Sequence, residues 1–194
     1  MARYTGPKWK ISRRENYDIF GDDAWKRRPN PPGVHAMSKG RPSNYAIQFR
    51  EKQKVKRIYG LMEKQFKKIY QDASKATGNT GTRMLQLLEL RLDNVVYKLK
   101  FARTRNQARQ FVTHGHVLVN GEKLSIPSHI LKVGDEISLN PKFQKEEFIK
   151  IMQSELKNVK VPEWLKNGKV QSLPNRDMID QGIEEQLIIE FYSR

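Results

Sequence analysis

Between Leu85 and Leu139 the spacing of apolar positions changes period twice. Leu85, Leu88, Leu92, Val95 and Leu99 recur at steps of three and four, the buried stripe of one helical face. Ala108, Phe111 and Val112 repeat that spacing more briefly. Thr104 with Gln107 three residues later forms a capping box, which predicts a second helix from Arg105. Arg105 and Arg109 sit one turn apart on its other face. From His116 the pattern is that of a hairpin: residues 116–119 and 122–124 flank Asn120-Gly121, a pair that accepts the positive φ angles of a type I′ turn. Residues 133–139, with Gly134-Asp135 near their start, predict a further strand.

On either side of this stretch the pattern is helical. Residues 44–72 predict one long helix with Val55, Ile58, Met62, Phe66 and Ile69 facing inward. Arg57, Lys64 and Lys68 form its outward stripe, and Arg50, Lys52, Lys54 and Lys56 crowd its first turns. Asn140-Pro141 starts another helix, with Asn as cap and Pro at the first position. Its face of Phe148, Ile149, Met152 and Leu156 would pack back on the long helix, and Trp164 would anchor an irregular core segment. Within residues 185–193, the run 187–192 is apolar with a polar break at Glu190 and predicts a final strand, or a helix-to-strand piece.

Residues 1–46 differ from all of these. Arg3, Tyr4, Lys8, Trp9, Lys10, Arg13, Arg14 and Tyr17 alternate basic with aromatic, and Pro and Gly punctuate residues 29–42. Such a segment buries too little apolar surface to fold alone and is expected to order against RNA. Tyr4, Trp9, Tyr17 and Trp25 would stack on bases or dock on protein.

Charge narrows the function classes. There are 37 Lys and Arg against 21 acids, a net charge of +16, with a pI near 10.0. That imbalance calls for a polyanion, and with no apolar run near the ~20 residues of a membrane span and no signal-peptide pattern, nucleic acid is favoured over a membrane. Residues 1–60 hold 15 basic and 5 acidic residues, residues 61–140 hold 13 and 7, and residues 141–194 hold 9 and 9. The polyanion is therefore expected on the first two thirds, and a protein contact on the tail. Cysteine is absent, which excludes disulfides, thiolate zinc sites and a Cys nucleophile.

The segment 87–140 resembles the small RNA-binding domain named after ribosomal protein four of the small subunit. Arg91-Leu92-Asp93-Asn94, Ala102-Arg103-Thr104, Gln107-Ala108-Arg109-Gln110 and Val117-Leu118-Val119-Asn120-Gly121 carry the likeness. Further matches lie outside that domain: residues 1–10 with Ser12-Arg13-Arg14-Glu15, Arg50-Glu51-Lys52-Gln53-Lys54, Arg57-Ile58-Tyr59-Gly60, Glu63-Lys64-Gln65-Phe66 and Gly78-Asn79-Thr80-Gly81. With these the chain resembles the small-subunit ribosomal protein four family of bacterial or organellar type. Many members carry a zinc-binding cysteine cluster between positions matching Gly21 and His35; this chain has only His35 there, so no metal and no cofactor are expected.

The resemblance implies an α+β fold: a mainly helical domain (44–86 and 141–194), an inserted small RNA-binding domain (87–140) and an extended basic N-terminal arm (1–43). It implies direct binding to the 5′ domain of small-subunit rRNA, nucleation of subunit assembly, and a place beside ribosomal proteins five and three at the mRNA entrance, bearing on translational accuracy. Lys39, Arg41 and Arg50 map to the family's basic entrance residues, whereas Ser38 is neutral at a position that is often basic. Expected RNA contacts also include Arg83, Arg91, Arg103, Arg105, Arg109, His114 and His116, together with the basic residues already named. No membrane partner and no homo-oligomer are implied. The expected location is the small ribosomal subunit in the cytoplasm, or an organellar matrix or stroma.

Enzyme templates lack their parts. No His-Glu-x-x-His spacing, phosphate-cradling glycine loop with Lys-Ser/Thr, or Gly-x-Ser-x-Gly elbow occurs. RNA pseudouridine synthases use an aspartate and often carry this domain, which makes Asp93 the candidate acid. It sits inside the RNA-binding module with no catalytic domain beside it, and a salt-bridge or helix-terminus carboxylate is the expected role. A stand-alone RNA binder would need neither arm nor tail. A regulator of its own messenger would be told apart by competition between rRNA and that leader.

Overall fold

The computed structural model describes residues 4–21, 23–28, 30–34, 36, 40–156 and 159–193. The chain forms two compact units, one of residues 1–81 with 181–194 and one of residues 82–180. The fold is α+β: helices dominate, with a small antiparallel sheet.

In the first unit, α1 (Lys8–Glu15) buries Ile11 and Ser12 and packs on α2 (Asn44–Ile58). The expected arm is thus part of a folded unit, and Trp25 is buried in it rather than presented for stacking. Tyr4 and Trp9 remain about half exposed. Ser43 caps α2, its hydroxyl accepting from the Ala46 amide at 3.2 Å.

The expected single helix over 44–72 is two helices. Gly60 takes a φ of 63°, its amide donates to the Arg57 carbonyl at 3.1 Å, and the Leu61 amide donates to Lys56 at 2.9 Å. That is a Schellman closure, which ends α2 and lets α3 (Glu63–Lys75) start on a new axis. The phase therefore resets: Phe66 and Ala73 mark the buried face of α3, while Met62 is half exposed instead of inward.

Residues 185–192, expected to end as a strand, form helix α9 (Glu185–Tyr192). Ile188 is buried, Phe191 packs on Tyr45 and Phe49 of α2 with ring centroids 5.7 and 6.0 Å away, and Tyr192 stacks on Tyr70 at 4.6 Å. Gln48 donates to the Glu190 carboxylate at 2.8 Å, so the polar break in the apolar run meets a polar partner.

The second unit is built around the leucine stripe. α4 (Thr80–Glu89) and α5 (Leu92–Lys98) carry it in two pieces, broken at Leu90-Arg91. There the backbone pairs sideways: Leu131 donates to the Leu90 carbonyl at 2.9 Å and Leu92 to His129 at 2.9 Å. α6 (Arg105–Thr113) starts on Thr104, whose hydroxyl accepts from Gln107 at 3.2 Å, and the Gln107 side chain reaches back to the Arg103 amide at 2.8 Å. Strand β1 (Val117–Val119) lies between β2 (Glu122–Lys123) and β3 (Ile137–Leu139), with Leu118 opposite Lys123 and Val117 opposite Leu139. Asn120 and Gly121 have φ of 53° and 83°, as a type I′ turn requires. Of the strand expected over 133–139, only the last three residues pair as strand.

Residues 141–180 belong to this unit, whereas the sequence assigned them to the helical domain. Phe143 of α7 (Pro141–Gln144), Ile149 and Met152 of α8 (Glu147–Leu156), and Trp164 share one buried cluster with Val95, Phe111 and Leu139. The face expected to pack on the long helix lies in this cluster instead. Phe148, expected on the apolar face, is half exposed. β4 (Leu165–Lys166) and β5 (Lys169–Val170) form a second hairpin through Asn167-Gly168, and the Ile137 amide donates to the Gly168 carbonyl at 2.7 Å. A Cβ on Gly168 would meet the Ile137 carbonyl at 2.6 Å, so this turn needs glycine for space as well as for its φ of 77°.

Candidate nucleic-acid interface

Basic side chains meet a phosphate backbone only where burial and internal acids leave them accessible. In the first unit that condition divides the candidates. Glu15 of α1 is paired with Arg50 at 3.2 Å and with Arg57. Glu63 takes Lys52 at 2.7 Å and Lys56 at 2.9 Å, and Glu51 takes Lys54 at 2.7 Å. Lys52 is only 4% exposed, its ammonium lying 4.5 Å from the Phe191 ring centroid and 5.0 Å from that of Phe49. Of the expected outward stripe, Arg57 is thus ion-paired, as are Arg50, Lys52, Lys54 and Lys56, the basic residues of the first turns. Burial pushes the Glu63 carboxyl up, but hydrogen bonds from Lys52, Lys56 and Tyr192 outweigh it and hold it down at about 2.

Helix α3 is the opposite case. Lys64, Lys67, Lys68 and Lys75 are exposed, and none makes an ion pair among the described residues. They lie around the face opposite Phe66 and Ala73, with Lys64 and Lys68 one turn apart. Lys67 and Lys75 were not among the sequence candidates. Their signal was the Phe66-to-Ala73 period, readable only once the helix is known to restart at Glu63.

The N-terminal candidates remain near the surface. Lys8 and Lys10 are exposed on α1, as is Arg41 before α2. Arg13 and Arg14 donate to the carbonyls of Asn30 and Pro32 at 3.4 and 2.9 Å, bracing the following loop. Arg3, His35, Ser38 and Lys39 lie outside the described residues.

In the second unit the arginines gather at the start of α5. Asp93 receives Arg91 through Nε at 3.1 Å and Nη2 at 2.9 Å, and Arg109 through Nη1 at 3.1 Å. Arg91 is 2% exposed, so it holds Asp93 and is not available to RNA, contrary to expectation. Arg105 is held through Nε by the Asn94 side-chain oxygen at 3.0 Å and lies 4.6 Å over the Tyr97 ring. Burial draws the Arg109 guanidinium down from its ordinary value while Asp93 draws it up; it stays charged either way. Arg103 is exposed and paired with Glu155, and Arg83 contacts Gln86 at 3.4 Å.

The two hairpin histidines separate. His114 is exposed, but His116 stacks flat on Phe143, with centroids 3.9 Å apart. Burial, then His114 and Lys123, push the His116 imidazole below its ordinary value despite Glu146, which suits a neutral packed ring better than a phosphate contact. Among the described residues no helix is long and apolar enough to cross a membrane.

A family model described as "Ribosomal protein S4/S9 N-terminal domain" matches residues 3–89, and one described as "S4 domain" matches residues 90–137. The boundary between them falls at the break between α4 and α5. The chain is 47% identical over 211 residues to the small ribosomal subunit protein uS4 of Herpetosiphon aurantiacus. It is 46% identical over 208 residues to that of Halothermothrix orenii and 47% over 201 residues to that of Cutibacterium acnes. Each comparison covers all of this chain and all of the relative.

Proposed function

The chain belongs to the small ribosomal subunit protein uS4 family, and from that membership we propose that it binds the 5′ domain of small-subunit rRNA directly and nucleates subunit assembly. It is a ribosomal protein with an S4 RNA-binding domain, of a structural and non-enzymatic family. The observation that carries the proposal is the contrast in charge use. Lys64, Lys67, Lys68 and Lys75 stand exposed with no ion pair among the described residues, and two α6 arginines are held side by side in the S4 domain. We assign RNA contact to these residues and to Lys8, Lys10, Arg41 and His114.

The mechanism is charge neutralisation on a shaped surface. Each phosphate met by Lys or Arg releases counterions, so affinity falls steeply with salt, and selectivity comes from the folded shape of the RNA. In the assembled subunit, the protein would adjoin ribosomal proteins five and three and take part in decoding accuracy at the mRNA entrance. Of the entrance residues, Arg41 is exposed, whereas Arg50 is engaged by Glu15. Lys39 lies outside the described residues, so among the described entrance residues Arg41 is the basic group we assign to mRNA.

The test is binding of the purified protein to the isolated 5′ domain across a salt series, beside an unrelated structured RNA of equal length. Selective binding with a steep salt slope is expected. Equal affinity for both RNAs would reduce the interaction to bulk charge and overturn the rRNA assignment.

A further inference from the structure

Asp93 and Asn94 are consecutive, 5% and 2% exposed, and open the first turn of α5. Each faces one arginine of α6. Asp93 accepts from Arg109 at 3.1 Å while held from behind by the fork of Arg91 at 2.9 and 3.1 Å. Asn94 donates to the Glu89 main-chain carbonyl at 3.0 Å and to its carboxylate at 2.8 Å, which aims the amide oxygen at Arg105, 3.0 Å away. Tyr97 supports the same guanidinium from its face. Successive residues of one helix thus hold arginines one turn apart on the next.

We infer that Asp93 and Asn94 are positioning residues of the RNA face: they pre-orient Arg109 and Arg105 for phosphate oxygens. The inference rests on the proposed reading of α6 as RNA-binding. A free arginine carries rotamer entropy that is lost when it meets a phosphate; one already braced loses less and gains affinity by preorganisation. One carboxylate between two guanidiniums still leaves a net positive charge at the site, so orientation is gained without neutralising it.

Orientation and bare electrostatics predict opposite signs. Asp93→Asn deletes a negative charge beside a polyanion-binding face, so Coulomb's law alone gives tighter binding. Positioning gives weaker binding. With the full-length protein and the 5′-domain RNA across a salt series, Asp93→Asn should bind about fivefold more weakly, with the log–log salt slope lower by about one. Arg109→Ala should weaken binding similarly, and the double variant should be no weaker than Arg109→Ala alone. Asn94→Ala should show a smaller loss that disappears in an Arg105→Ala background.

Because Asp93→Asn leaves Arg91 buried without its anion, Arg91→Met/Asp93→Asn is measured beside it, removing both charges. Either variant, folded by its thermal transition, that binds as tightly as wild type or tighter while Arg109→Ala weakens binding overturns the positioning role and leaves the RNA face standing. If Arg105→Ala and Arg109→Ala are both without effect, the reading of α6 itself fails.

Discussion

Helix α2 carries Arg50, Lys52, Lys54, Lys56 and Arg57, and α3 carries Lys64, Lys67, Lys68 and Lys75. All five on α2 are ion-paired to Glu15, Glu51 or Glu63; none of the four on α3 is, among the described residues. The acids that engage α2 come from α1, from α2 itself and from the first residue of α3, and the aromatic rings that flank Lys52 come mostly from α9. Density of Lys and Arg along a sequence therefore reports where cations are, and folding decides which still face outward.

The largest expected effect sharpens that contrast on the α3 side. Replacing Lys64, Lys67, Lys68 and Lys75 together by Gln should weaken binding to the 5′-domain RNA on the order of a hundredfold at moderate salt and flatten the log–log slope by roughly three to four. Circular dichroism should show the helix content unchanged. A slope that stays put would shift the contact surface away from α3.

On the α2 side the readout moves from binding to folding. Glu63→Gln should lower stability by about 1–2 kcal/mol at neutral pH, less than for a wholly buried pair because the Glu63 carboxylate is 46% exposed. Thermal unfolding measures the loss, and RNA affinity should change by no more than about twofold, a limit set by the small worth of screened charges. The effect has a pH signature. Glu63 titrates at about 2 in the folded chain and at 4.5 ordinarily, so its contribution is complete above pH 4.5 and fades as pH falls toward 2. Wild type and Glu63→Gln should converge in that acid range; a constant gap would show that the carboxylate's charge is not the cause.

The smallest effect concerns the break between the two helices. Gly60→Ala, at a φ of 63°, should destabilise by about 1 kcal/mol through left-handed strain. If the chain escapes the strain by continuing α2, Arg57 and Lys64 would share one helical face, and an altered salt slope would report it.

Much of the S4 domain was legible because its signals are local. The Thr104–Gln107 box starts α6, and Asn120-Gly121 sets the hairpin. A second Asn-Gly pair, Asn167-Gly168, makes a hairpin the same way but carries a weaker signal, since its flanking strands are two residues each and Val170 of β5 takes its hydrogen bonds outside the hairpin, with Gly134 and Asp135. The tail, whose pattern predicts a strand or a helix-to-strand piece and which forms α9, shows the same limit. A six-residue run, apolar but for Glu190, does not distinguish strand from helix until the aromatic surface of α2 gives Ile188 and Phe191 a common face.

By itself the sequence determined the family, the basic character, the capping signals and the principal turn, since each depends on residue identity at short separation. Only the tertiary structure decided that residues 141–180 share one compact unit with the S4 domain, that α1 packs on α2, and which cations remain available. Those outcomes rest on pairs far apart in the chain: Glu15 with Arg50, Gln48 with Glu190, Tyr70 with Tyr192. A carboxylate pairs with whichever cation folding brings within a few ångströms, and spacing along a chain does not encode that distance.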